Sequence, residues 1–216
     1  MNQNLTEVIF ILDRSGSMHG LEKDTIGGFN SMIEEQKGKE GEALISTVLF
    51  NGYSSVLHDR VPIEKIEEMT EQDYRTTGCT ALLDAIGDAV RHIRNVHKYI
   101  REEDVPAHTM LVITTDGMEN ASRKYTAEKV RGMIREQEEE HGWEFLFLGA
   151  NIDAVETARR YGIRPERAVD YLNDDKGLET NYKAVSYAVT SMRQFGNVDA
   201  DWAAPIREDY KKRKRR

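Results

Sequence analysis

Two periodicities alternate along the chain. Short runs rich in β-branched and aromatic residues, beginning with Val8-Ile9-Phe10-Ile11-Leu12, give way to longer segments whose apolar positions recur every three or four residues. That alternation predicts βαβ units around a mainly parallel sheet. The first run is apolar at every position, as a strand covered on both faces requires. A helix is predicted over residues 21–36, with Ile26, Phe29, Met32 and Ile33 on one face before Gly38 and Gly41 interrupt it. Residues 43–50 read as a second strand. Asn51-Gly52 is a hairpin signal that turns residues 54–58 back antiparallel at the sheet edge. Residues 59–80 carry only a weak helical piece over 62–69 and are otherwise polar. An antiparallel third strand ends at the wrong end of the sheet, so a long climbing connection is needed there.

The strongest helical stripe follows, with Leu82, Ile86, Ala89, Ile93, Val96 and Ile100 spaced 4, 3, 4, 3 and 4 apart. Strands are predicted at 110–115, 143–148 and 168–171, and helices near 126–140, 154–161 and 175–195. The last helix places Leu178, Tyr182, Val185, Val189 and Met192 on one stripe, the pattern of a core-facing helix. The fold class is therefore α/β: a doubly wound, Rossmann-like, mainly parallel six-stranded sheet with one antiparallel edge strand and helices on both faces. One domain is expected over residues 1–204, with Pro205 closing the ordered part and residues 205–216 forming a disordered basic tail.

Composition adds a charge asymmetry. The 216 residues carry a net charge of −8, but residues 211–216 read Lys-Lys-Arg-Lys-Arg-Arg. Without those six cations, 24 Lys and Arg face 38 Asp and Glu, a body at −14. The mean hydropathy of −0.63 is polar, yet the apolar runs are concentrated enough to build a core. No apolar stretch reaches the roughly 20 residues of a membrane span, and the first residues lack a secretory pattern. The cytoplasm is the expected compartment. Cys79 is the single cysteine, which excludes an intrachain disulfide.

Chemistry concentrates at the ends of predicted strands. Asp13-Arg14-Ser15-Gly16-Ser17 follows the first strand and offers a carboxylate and two hydroxyls at alternate positions, with Gly16 expected to curl the loop through positive φ. Hard oxygens without imidazole or thiolate suit Mg²⁺, Mn²⁺ or Ca²⁺. Asp and Ser are equally the ordinary residues of turns and helix caps. Asp116-Gly117 follows the fourth strand, and in the strand order 3-2-1-4-5-6 the first and fourth strands are neighbours at the switch point, so Asp13 and Asp116 would flank one crevice. Thr80, in Thr77-Gly78-Cys79-Thr80 before the strongest helix, is either that helix's N-cap or a hydroxyl facing the same crevice.

In this order and at these separations, Asp13-Arg14-Ser15-Gly16-Ser17-Met18, Gly78-Cys79-Thr80 and Thr115-Asp116-Gly117 resemble the metal-ion-dependent adhesion site (MIDAS) of von Willebrand factor A domains. The resemblance covers roughly residues 5–195 and is similar to the soluble bacterial branch, some of whose members are associated with AAA+ ATPases or tellurite-resistance operons. It implies that Ser15 and Ser17 bind the metal directly, Thr80 directly or through water, and Asp13 and Asp116 mostly through waters and by orienting the hydroxyls. It implies a non-enzymatic domain, monomeric, whose cation captures a Glu or Asp of a protein partner. Neutral hydroxyl ligands leave a divalent cation electron-poor, which favours such an anion. Where many relatives have a second Gly, this chain has Cys79, expected to be a small apolar filler, the alternative being a thiol that admits softer ions.

The remaining features carry less. The six His are expected to be surface or structural, Asp153 to cap the helix after it, and the Met118-Glu119-Asn120 segment to rim the crevice or serve as ordinary loop. No phosphate loop, dinucleotide fingerprint or nucleophile elbow is present. Two alternatives stand beside the binding domain. One is a Mg²⁺-dependent aspartyl-nucleophile phosphohydrolase, although the general-acid position two residues after Asp13 is Ser15. The other assigns function to the basic tail, through nucleic acid or an acidic partner.

Overall fold

The computed structural model describes residues 1–214. Six strands, β1 (Asn2–Asp13), β2 (Glu42–Phe50), β3 (Ser54–Pro62), β4 (Pro106–Thr115), β5 (Glu144–Ala150) and β6 (Ala168–Tyr171), form one sheet in the order β3-β2-β1-β4-β5-β6. All neighbours pair parallel except β2 with β3. The helices are α1 (Glu22–Lys37), α2 (Leu82–Tyr99), α3 (Ala127–His141), α4 (Ala154–Arg160), α5 (Asp175–Phe195) and α6 (Ala204–Lys214). This is the expected doubly wound α/β architecture.

The period of two along β1 divides the core. Val8, Phe10 and Leu12 point to a layer with Phe29 of α1 and Leu178 and Val185 of α5. Ile9 and Ile11 point to the other face, against Ile86 and Val90 of α2 and Val130 of α3. Each such side chain removed from water contributes about 1.5–3 kcal/mol, which is why an unbroken apolar run specifies a central strand.

The hairpin forms as expected: three residues connect the strands, Asn51 N donates to the Tyr53 carbonyl at 3.0 Å and Asn51 Oδ1 accepts from Tyr53 N at 3.2 Å. Two expectations need correction and one open choice is decided. Residues 62–69 hold only the short 3-10 turn Ile63–Lys65, because the segment's apolar residues, Ile63, Ile66 and Met69, all face the core from a mostly extended chain. Thr80 does not cap α2. Finally, residues 205–214 are not a disordered tail. Buried Trp202 and Ile206 anchor α6, Glu208–Lys212 and Asp209–Arg213 pair one turn apart, and the cations fall in the last turn where the helix dipole favours them. Pro205 sits in that helix's first turn, where its missing N–H costs nothing. The last two residues of the expected tail lie outside the described residues.

Away from the crevice, Glu7 is fully buried between Arg60 Nε (2.7 Å) and His97 Nε2 (2.6 Å), a structural role for one of the scattered histidines. Among the described residues, no helix is long and apolar enough to cross a membrane.

Candidate metal centre

The carboxyl ends of β1 and β4 lie side by side, Leu12 pairing with Thr114, at the point where the chain's winding reverses. The loop after β1 is pinned from both sides. Arg14 N donates to the Phe50 carbonyl (2.7 Å), Thr77 N to the Arg14 carbonyl (2.9 Å), Gly16 N to the Gly78 carbonyl (3.1 Å), and the buried Tyr74 hydroxyl to the Asp13 carbonyl. The long connection after β3 thus serves as a strap over the site. Its own bend uses Gly78 at φ +78°, whereas Gly16 needs no positive φ, contrary to expectation; it sits in a 3-10 turn, Gly16–Met18, close against the strap.

All five predicted residues meet in this crevice. Asp13 is buried, its Oδ1 accepting from Ser15 N (2.7 Å) and its Oδ2 from the Thr115 hydroxyl (2.6 Å). Ser15 Oγ lies 3.0 Å from Ser17 Oγ, and Ser17 Oγ donates to Asp116 Oδ1 at 2.5 Å. Asn173, after β6, donates its Nδ2 to Asp116 Oδ2 at 2.8 Å. A Cβ on Gly117 would stand 3.3 Å from both Ser17 Oγ and Thr80 Oγ1, so those two hydroxyls converge beside Gly117, where an added Cβ would crowd both.

Thr80 is free for this because α2 is capped from another segment. Glu119 Oε2 accepts from Leu83 N (2.9 Å), Ser122 Oγ accepts from Asp84 N (3.0 Å), and Asn120 Oδ1 accepts from Thr80 N (2.9 Å). The Met118-Glu119-Asn120 segment therefore divides its roles: Glu119 and Asn120 hold the helix start, while Met118 is 74% exposed. Cys79 is exposed beside Thr80, which corrects the expectation of a buried filler. Asp153 caps α4 as expected, accepting from Glu156 N at 2.8 Å.

The electrostatics are unbalanced. Burial pushes both Asp13 and Asp116 above the ordinary carboxylate range, and the Asp13 charge pushes Asp116 further, against the Thr115, Ser15 and Ser17 hydrogen bonds. Among the described residues, no Lys, Arg or His forms an ion pair with either acid. Two close buried carboxylates without a counter-charge are costly, and a cation in the crevice would relieve both. The surrounding donors are hydroxyls and carboxylates; no cluster of three or more His, Cys, Asp or Glu able to hold a metal gathers among the described residues. A hydroxyl-rich oxygen set fits a hard divalent cation.

Sequence reasoning named Thr115 only as part of a motif, without a role, and missed Asn173. Thr115 left a signal, a hydroxyl ending an apolar strand beside an acid; Asn173 left none, since its approach depends on how the turn after β6 bends back.

No protein-family model and no curated protein matches the chain. Solved structures do. The fold is that of von Willebrand factor A domains. The von Willebrand factor type A protein from Catenulispora acidiphila is 14% identical, with a TM-score of 0.57, over 88% of this chain and 43% of that one. Proximal thread matrix protein 1 from the mussel byssus, in a structure whose MIDAS motif holds zinc, is 14% identical with a TM-score of 0.57, over 88% and 46%. The ArnB paralog VWA2 from Sulfolobus acidocaldarius is 16% identical with a TM-score of 0.54, over 86% and 45%. The chain spans less than half the length of these three neighbours, and at such identities the likeness is one of fold.

Proposed function

We propose that this chain is a metal-dependent protein-binding domain that holds a divalent cation, Mg²⁺ in the cell, and through it captures a Glu or Asp side chain of a partner. The observation that carries this reading is the pair of buried carboxylates, Asp13 and Asp116, facing three convergent hydroxyls with no ion-pairing Lys, Arg or His among the described residues. Ser15, Ser17 and Thr80 would hold the metal. Asp13 orients the loop through the Ser15 amide, and Asp116 orients Ser17. The metal supplies a Lewis-acidic position for an incoming carboxylate. The zinc in the mussel protein's MIDAS motif supports the reading at the level of a divalent ion. A bacterial AAA+ ATPase or stress-resistance component is the partner class that the motif resemblance offers.

Both alternatives draw less support. An aspartyl nucleophile needs an oxygen aimed at its substrate, whereas both Asp13 oxygens are engaged by Ser15 and Thr115. The basic end is partly neutralised within the fold: Arg213 by Asp174 and Asp209, Lys212 by Glu208.

The test is calorimetric titration of Mn²⁺ and Mg²⁺ into wild type and Ser15→Ala, followed by partner capture with and without EDTA. Saturable binding lost in Ser15→Ala, and capture lost with EDTA, are expected. Capture insensitive to both, or Mg²⁺-dependent phosphatase turnover abolished by Asp13→Asn, would overturn the reading.

A further inference from the structure

The turn between β6 and α5 joins the candidate metal centre to the C-terminal helix. Asn173 donates to Asp116 Oδ2, the oxygen of that carboxylate that Ser17 does not take. Nitrogen must face the carboxylate, so the amide's orientation is fixed, and its Oδ1 is left buried without a partner. The next residue is held on two sides. Asp174 Oδ1 accepts from Gly177 N at 2.8 Å, capping α5, and Asp174 Oδ2 accepts from Arg213 Nη1 at 2.5 Å. Arg213 is itself gripped one helical turn back by Asp209, through Nε at 2.9 Å and Nη2 at 2.5 Å. The turn has no slack, because a Cβ on Gly177 would stand 1.8 Å from the Leu172 carbonyl oxygen and Asp174 N already donates to that oxygen at 2.9 Å. A short Asn side chain goes where its backbone puts it, and here that backbone is set by a helix cap and an ion pair.

We infer that Asn173 is a positioning residue of the metal centre, and that the basic end of α6 sets it: Arg213 holds Asp174, and with it the turn from which Asn173 fixes Asp116. This rests on the metal-binding reading above. It gives part of the C-terminal cationic run a role inside the domain, with its chemistry directed at two carboxylates of this chain.

The experiment uses the full chain. Mn²⁺ affinity is measured by calorimetry, and the side-chain amide resonances of Asn173 are followed by NMR in the metal-free protein. Asn173→Ala should weaken Mn²⁺ about tenfold, the lower end of what losing an outer hydrogen bond that supports a metal site costs. Arg213→Ala should weaken it about threefold, the scale of a partly exposed ion pair, and Arg213→Lys should restore part of the loss. Asp174→Asn, which keeps a capping oxygen but removes the charge, should reproduce Arg213→Ala. The double variant Asn173→Ala/Arg213→Ala should bind no more weakly than Asn173→Ala alone, because the arginine acts through the asparagine. Lys212→Ala, which breaks only an exposed pair with Glu208, should leave affinity and the Asn173 resonances unchanged. Wild-type binding with additive losses, or with Arg213→Ala indistinguishable from wild type in both readouts, would overturn the inference and leave the metal reading intact. No Mn²⁺ binding by wild type would overturn both.

Discussion

Replacing Thr115 with valine isolates the hydrogen bond that supports the buried acid of the candidate centre. Thr115 is fully buried, and its hydroxyl donates to Asp13 Oδ2 at 2.6 Å. Valine has nearly the same shape, so Thr115→Val removes the donor while keeping the volume, and it leaves a carboxylate oxygen buried without one. That costs about 1–3 kcal/mol, with the upper half favoured because the acceptor is charged. For a chain of this size the melting temperature should fall by about 2–12 °C. The pH dependence has a definite sign. Burial already raises the Asp13 pKa, and the Thr115 bond opposes that rise; without it the pKa climbs further. A carboxyl raised in the folded state binds its proton more tightly there than in the unfolded chain. Stability therefore drops as pH rises through the interval between the two values, and the variant's deficit should be larger at pH 7 than at pH 5. Urea unfolding of wild type and variant in EDTA, at both pH values, measures it, with Thr115→Ser as the variant that keeps the hydroxyl. A deficit under about 0.5 kcal/mol at pH 7, or one larger at pH 5 than at pH 7, would refute the assignment of Thr115 as the support of an ionised Asp13.

Three further outcomes follow from particular contacts. Gly177→Ala forces a methyl onto the Leu172 carbonyl and should cost more than the roughly 1–3 kcal/mol of ordinary overpacking, seen as loss of soluble folded protein or a large drop in the urea midpoint. Glu119→Ala removes the cross-segment cap of α2 and should cost about 0.5–2 kcal/mol by the same assay, with Glu119→Gln intermediate. Arg60→Ala strands the fully buried Glu7 with His97 alone and should cost about 3–5 kcal/mol, much of it recovered when Glu7→Gln is added.

Alternating periodicities carried the architecture because strands and helices here are long and their apolar faces unambiguous: the strand order and the helices from Glu22–Lys37 to Asp175–Phe195 fall where the patterns put them. The five centre residues were legible for a related reason, since each stands beside the end of a readable element. What escaped was set by contacts distant in sequence. Glu119 caps a helix that begins 37 residues earlier in the chain, so a local reading left Thr80 undecided between cap and site hydroxyl. Cys79 looked like filler by the habits of its residue type, but Gly78 at positive φ turns the strap so that its neighbour is exposed. The C-terminal run looked disordered by charge density alone, although its acids one turn before its cations were already the pattern of a helix.

The charge asymmetry changes meaning once α6 is folded onto the domain. A −14 body with a detached +6 arm would present an acidic partner with long-range repulsion and a separate point of attraction. Instead, Arg213 and Lys212 are spent on acids of the same chain, and Asp174, exposed on one side, is held below the usual carboxylate range by the Arg213 guanidinium despite partial burial. At physiological salt, charges more than about 8 Å away are largely screened, so an approaching carboxylate responds to its immediate surroundings. Those are the crevice with its two unneutralised acids, and a rim of Arg14 stacked 5.4 Å over the Tyr53 ring, exposed Cys79 and exposed Met118. On the proposed reading, that crevice would repel a carboxylate without a divalent ion, and a bound ion would reverse the local sign. The metal would then be the condition for recognition, and Arg14, Tyr53 and Met118 would form the rim that an acidic segment meets around it.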